Sequence, residues 1–204
     1  MGCGIGRFTT EFLDRGATVW GVDADLESLV RCAWHAARRP GRLDLSWSSV
    51  HALPRVEVDV IVACEVLCYV PDLDTAMQEL MSRLRPGGVL LLSLEARYGW
   101  ATAEDAVPGQ LEAALADQDI LEGMPGRPWV RLHGYDEVCA LLRRHGLDIE
   151  YVQATHYVTD GPLERVAPDS MSFEMLRDAD DAARNHPVWA PLNRIWTAVG
   201  SKKP

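Results

Sequence analysis

Met1-Gly2-Cys3-Gly4-Ile5-Gly6-Arg7-Phe8 opens the chain, and after a helical run comes Thr18-Val19-Trp20-Gly21-Val22-Asp23. Glycines lack Cβ atoms, so this loop turns tightly and admits a ligand against bare backbone. Phe8, Phe12 and Leu13 recur at helical spacing, which predicts an amphipathic helix starting on the glycine turn. The unpaired amides at such a start attract anions, because the helix dipole is positive there. Thr18–Val22 reads as a short buried strand, with Asp23 at its carboxyl end, 17 residues after Gly6. A carboxylate in that place accepts hydrogen bonds from ribose hydroxyls in dinucleotide-type folds. Asp23 has a second reading as the N-cap of a helix that begins near Leu26.

The rest of the chain extends this frame. Asp25–Arg38 carries Leu26, Leu29, Val30 and Ala33 at helical spacing, and Pro40-Gly41 ends it. Leu43–Trp47 is a strand followed by the turn Ser48-Ser49. Val58–Cys64 is a nearly continuous apolar run, as expected for a strand covered on both faces. Asp74–Leu84 is a helix stopped by Arg85-Pro86-Gly87-Gly88, and Val89–Leu94 is a second buried strand. Such alternation predicts an α/β fold with a doubly wound, mostly parallel sheet. Glu95–Arg131 breaks the rhythm, with one helix at Gly109–Ala116 between loops rich in Gly, Pro and Trp. A loop region of that length is usually a lid or binding segment. Helix Tyr135–His145 and strand Asp148–Tyr157 follow. A second insert, Thr159–Ala190, holds a short helix near Phe173–Arg184, and the strand in Asn193–Gly200 closes the chain.

Composition bounds the function. The 204 residues suit one α/β domain, and 48% hydrophobic residues suffice for a core. The net charge of −10 without a basic stripe argues against nucleic acid as partner. Cys3, Cys32, Cys64, Cys68 and Cys139 form no Cys-x-x-Cys pair, so no metal site is expected. No signal peptide or membrane-length apolar run is present, which leaves no membrane role and a cytoplasmic location as expectations.

Gly2-Cys3-Gly4-Ile5-Gly6 resembles the first motif of class I S-adenosylmethionine (SAM)-dependent methyltransferases. Arg7 stands where the nicotinamide fingerprint Gly-x-Gly-x-x-Gly has its third glycine. Cys64-Glu65-Val66-Leu67-Cys68-Tyr69-Val70-Pro71-Asp72 resembles the family's fourth-strand motif, with Tyr69 where many members carry His. Leu84-Arg85-Pro86-Gly87-Gly88 resembles the turn before the fifth strand. Tyr135 to Glu150, with Trp196–Lys203, resembles the closing helix and antiparallel strand pair. The likeness is closest to the ubiquinone/menaquinone-biosynthesis type of bacterial methyltransferase, acting in secondary or cofactor metabolism. It implies a Rossmann-like sheet of order 3-2-1-4-5-7-6 with helical inserts. In the family an acid-ending first strand precedes the first glycine, so the expectation is that this strand is missing from the present sequence.

The resemblance also implies the cofactor, SAM, and its ligands. Gly2, Cys3, Gly4 and Gly6 would line the aminoacyl end, and Asp23 would take the ribose hydroxyls. Ala24 and Leu26 would border ribose and adenine. Ser49 falls where many members have an Asp, and Val50 offers a backbone amide to the adenine. Cys64 and Glu65 would face the methionine part, while the residues' own readings are a small buried hydrophobe for Cys64 and a helix cap for Glu65. Methyl transfer needs chiefly orientation. Candidate bases are His133, Tyr69 and Glu95, then Tyr135 and His156, with His133 first because histidine titrates near neutrality. Tyr98, Trp100 and Trp129 are candidate walls for a small-molecule acceptor, under a lid formed by residues 95–131 and 159–190. A homodimer is one expectation for assembly. Two other readings stay open: an NAD(P)-dependent oxidoreductase and a non-catalytic SAM-binding or scaffolding protein.

Overall fold

Helix α1 (Arg7–Asp14) begins directly on Gly6, whose φ of 96° is the left-handed conformation that glycine adopts without strain. The computed structural model describes residues 1–102, 109–122, 129–164 and 170–204. The chain divides into two units, Met1–Leu91 with Lys202–Pro204, and Leu92–Ser201.

In the first unit, α1 leads into β1 (Thr18–Asp23), α2 (Leu26–Ala36) and β2 (Arg42–Trp47). β1 and β2 pair in parallel from Thr18↔Arg42 to Asp23↔Trp47. β3 (Val58–Cys64), α3 (Leu73–Arg83) and β4 (Leu84–Glu95) follow, and β3 lies beside β4. β4 continues into the second unit, where β8 (Ile195–Lys202) and then β7 (Leu147–Thr155) come next in the sheet. Thr155 Oγ1 meets Thr197 Oγ1 and Ser201 Oγ meets Glu150, so β7 and β8 run antiparallel. The orders β2-β1 and β3-β4-β8-β7 correspond to places 3-2 and 4-5-7-6 of the expected sheet. At the remaining place, Cys3 N donates to Val22 O at 3.1 Å and Met1 N to Val62 O at 2.8 Å.

Several expectations are corrected. β4 starts at Leu84, straight out of α3, so Arg85-Pro86-Gly87-Gly88 is strand and not a turn. Arg85 pairs with Asp59 at 2.8 Å, and a Cβ on Gly88 would lie 2.9 Å from Asp59 O, so the bare glycine lets β4 approach β3. The ammonium of Lys202 donates to Met81 O at 2.8 Å and Leu84 O at 2.7 Å, closing the carboxyl end of α3 where no loop exists. A cation there also meets the negative end of the helix dipole. β1 and β3 are not covered on both faces: Trp20 and Val60 are exposed. The core stripe of α2 is Leu29, Cys32 and Ala36, whereas Leu26 and Val30 face outward. On α1, Thr9 and Leu13 are buried and Phe8 is exposed.

The second unit also holds α4 (Gln110–Leu115), β5 (Ile120–Glu122), β6 (Trp129–Arg131), α5 (Tyr135–Arg144) and α6 (Phe173–Arg184). β5 and β6 form an antiparallel pair, Ile120↔Arg131 to Glu122↔Trp129, where the sequence suggested only loop. Strands of three residues carry too little pattern to read. Of the lid expectation, residues 103–108, 123–128 (with Gly123 and Gly126) and 165–169 lie outside the described residues. Among the described residues, no helix is long and apolar enough to cross a membrane, and no group of three or more metal-ligating side chains gathers.

Candidate functional site

The three glycines of the opening loop are glycine for two different reasons. A Cβ on Gly2 would overlap Val66 Cγ2, and one on Gly6 would lie 2.8 Å from Cys32 Sγ on α2. Gly4, at φ 50°, has nothing within 4 Å of the place a Cβ would take. Gly2 and Gly6 are therefore fixed by packing, and Gly4 alone presents bare backbone to open space.

Asp23 ties this loop to the end of β1. One carboxylate oxygen accepts from Gly4 N at 2.7 Å and the other from Asp25 N at 2.9 Å. The helix-cap reading belongs to Asp25, whose carboxylate accepts from Glu27 N, Ser28 N and Ser28 Oγ. The Ser28 hydroxyl, then the Glu27 amide, holds the Asp25 carboxyl below its usual range. Asp23 keeps a lone-pair direction on each oxygen for hydroxyl donors.

The other predicted positions of the first unit cluster at strand ends. Ala24 and Leu26 are exposed beyond β1. Ser49 is exposed and makes no side-chain cap to the short turn Val50–Ala52, while Val50 is buried. Cys64 is half-buried at the end of β3. Glu65 follows with φ 54°, a conformation rare for a side-chain-bearing residue and found at sites under constraint. α3, the helix after this strand, is capped by Asp72 and not by Glu65: Asp72 accepts from Thr75 N at 3.0 Å and Thr75 Oγ1 at 2.6 Å. Tyr69 is half-buried in the turn Leu67–Tyr69. Burial, then Cys32 and Asp23 nearby, pushes the Cys3 thiol up to about 12, so it remains protonated and unreactive.

His133 and Glu95 belong to the second unit. His133 is 5% exposed and held by its main chain, N donating to Glu95 O and O accepting from Trp196 Nε1, both at 2.9 Å. Neither imidazole nitrogen has a hydrogen-bond partner among the described residues. Burial lowers its pKa to about 4, with the field of Glu137 opposing and those of Arg131 and Arg97 assisting, so the ring is neutral at pH 7. Glu95 is 2% exposed and faces Arg194 Nε at 3.4 Å. The Arg194 guanidinium lies 3.3 Å over the Trp100 ring and donates to Asp160 O. Trp100 therefore packs a buried ion pair and is no open wall.

Tyr98 is tied to Asp117 at 2.6 Å, and Trp129 is half-buried in β6. Tyr135 is exposed and packs edge-on against Trp196. His156 is structural: at φ 62° its amide, with those of Tyr157 and Val158, donates to the Asp180 carboxylate. Sequence reasoning passed over Arg194 and Trp47. Nothing local marks Arg194, but Trp47 ends the strand beside Asp23, and an aromatic there was a readable signal.

Residues 1–92 match a family described as a methyltransferase domain. With the doubly wound fold and the glycine loop ending on Asp23, this match makes the chain similar to class I SAM-dependent methyltransferases. Among its relatives, the trans-aconitate 2-methyltransferase of Azoarcus sp. is 30% identical over 163 residues, 76% of this chain and 59% of that protein. A ubiquinone biosynthesis O-methyltransferase of Bradyrhizobium sp. is 28% identical over 53% of this chain and 43% of its own. The chain thus spans about half the length of the curated relatives it matches. In fold it is similar to a SAM-dependent methyltransferase of Methanosarcina mazei, with TM-score 0.68 and 15% identity over 99% of this chain and 90% of that one.

Proposed function

We propose that this chain binds SAM on its glycine loop and serves methyl transfer to an oxygen, nitrogen or carbon atom of a small molecule, in bacterial secondary or cofactor metabolism. The observation that carries this reading is the Asp23 carboxylate, fixed by Gly4 N and Asp25 N beside the open face of Gly4. Gly2, Cys3, Gly4 and Gly6 would hold the aminoacyl end, and Asp23 the ribose. Ala24, Leu26, Ser49 and Val50 would border the nucleoside, and Cys64 and Glu65 the methionine part. When bound, SAM supplies a methyl group already activated on a sulfonium. The protein's own work is then alignment of the two reactants, the larger lever in such displacements.

The second unit is assigned the acceptor. His133, neutral and with both nitrogens unpaired, fits hydrogen bonding to the acceptor's hydroxyl or amine, and Tyr69 is the alternative proton acceptor. Glu95 is committed to Arg194 and fits a supporting role. Calorimetry tests the reading: S-adenosylhomocysteine (SAH) binds and NADH does not. NADH binding without SAH binding would favour the oxidoreductase reading. SAH binding with no methylation of trans-aconitate, hydroxylated ubiquinone precursors or a wider acceptor panel would favour a non-catalytic SAM-binding protein.

A further inference from the structure

We propose that Trp47 is a stacking platform for the purine of the donor, and that this site holds the purine by its face with little selection on its amino edge. The inference rests on the SAM reading above and specifies how the nucleoside half is recognised. Trp47 is the last residue of β2, and its Cα pairs with that of Asp23, the residue assigned to the ribose. Two bonds stitch the strand ends together, Ser48 N to Asp23 O and Trp47 Nε1 to Ala24 O, both at 2.9 Å. The indole is thus anchored at its one polar atom, yet Trp47 is 67% exposed. An anchored aromatic ring that the protein leaves uncovered has already given up rotamer freedom, so a flat partner gains the stack at a lower ordering cost. The ring lies beside the ribose acceptor, where the base of a nucleoside must follow.

The next carboxylate after Asp23 at this strand end is already engaged. Asp25 is occupied by three donors of its own helix start. The turn Ser48-Ser49-Val50-His51-Ala52 contains no acid. Ser48 Oγ donates to Ala52 O at 2.6 Å, which leaves the exposed Ser49 hydroxyl. A hydroxyl both donates and accepts, and an exposed one turns to water where the purine offers no amine. Discrimination at the amino edge is therefore weak, and the stack carries the purine.

The test is calorimetric titration of the intact chain with SAH and with its purine-riboside analogue, which lacks the 6-amine and keeps N1 as an acceptor for the Val50 amide. Wild type should bind the two within about threefold of each other, since the exposed Ser49 hydroxyl turns to water when the amine is missing. Trp47→Ala should weaken both by about 10- to 100-fold, the range for a lost base–aromatic stack. Trp47→Phe keeps a stacking ring and loses the indole anchor, and it should retain most of the affinity. An unchanged Trp47→Ala affinity overturns the platform, as does a Trp47→Phe variant as weak as Trp47→Ala, which would make Trp47 an anchor only. The purine-riboside analogue binding more than about 30-fold below SAH overturns the edge argument. Failure of wild type to bind SAH at all would instead remove the SAM reading, and this inference with it.

Discussion

The glycine loop and the surroundings of His133 treat polar groups in opposite ways. Around the loop, polarity is part-buried to exposed and spans at most 19 positions: Asp23 serves Gly4 and Asp25, and Asp25 serves its own helix start. Around His133, polarity is buried and assembled from distant segments. Glu95 meets Arg194 across 99 positions, and Trp196 reaches His133 across 63. The first arrangement needs little stability to exist and leaves lone pairs directed outward. The second depends on the whole unit being folded, and leaves an imidazole with no partner among the described residues. On the proposed reading, ligand capacity arises in one region from open backbone, and in the other from unmet hydrogen bonds, which are costly to bury.

Four measurements test that contrast. The largest effect should come from Arg194→Met, which takes the cation away from the buried Glu95 carboxylate. Denaturant unfolding should show a loss of about 3–5 kcal/mol, with partial recovery in the Arg194→Met/Glu95→Leu double variant. A loss below 1 kcal/mol would mean the pair is not dry.

Next comes pH. The folded pKa of His133, about 4, lies below the ordinary 6.5, so the unfolded chain binds this proton more readily. Its contribution is fully present above pH 6.5 and is lost as pH falls toward 4, by about 3 kcal/mol in all. His133→Leu should flatten that part of the stability–pH curve relative to wild type. Parallel curves would contradict burial of a neutral imidazole.

Asp23→Ala is the matching change in the loop. SAH affinity should fall by about 1.5–3 kcal/mol, as for a lost charge-assisted hydrogen bond, and titration reads it directly. Smallest is Gly4→Ala, which should lower stability by only about 1 kcal/mol, the cost of a left-handed side-chain-bearing residue with no steric overlap. Gly2→Ala should cost more than Gly4→Ala, because Val66 stands in the way. Equal melting temperatures for the two would erase the distinction between packing glycine and open glycine.

The same contrast explains what the sequence made legible. Gly-x-Gly-x-Gly, the strand and Asp23 are neighbours in sequence and in space, so their spacing reported their arrangement. Asp23 and Asp25 were harder to separate, since either suits a helix start. Ser28, three residues after Asp25, is the clue that distinguishes them. The strand order followed from resemblance and alternation. The start of β4 did not, because Pro86-Gly87-Gly88 is turn chemistry unless a partner strand offers pairing, and that partner is read only from tertiary contact. Trp100 looked like a pocket wall, but its ring is taken by Arg194, a residue with no local signature.

Lys202 gives the first unit a dependence on the order of synthesis. The ammonium that closes the carboxyl end of α3 lies 118 positions beyond Leu84. A ribosome that has delivered residues 1–91 has supplied the glycine loop, β1 to β3 and α3, but not the cation that seals the junction between α3 and β4. That junction is expected to stay frayed on the nascent chain until the second unit's residues have emerged. The glycine-loop half can therefore collapse early yet lock late, a sequence-distant closure of the kind that slows folding.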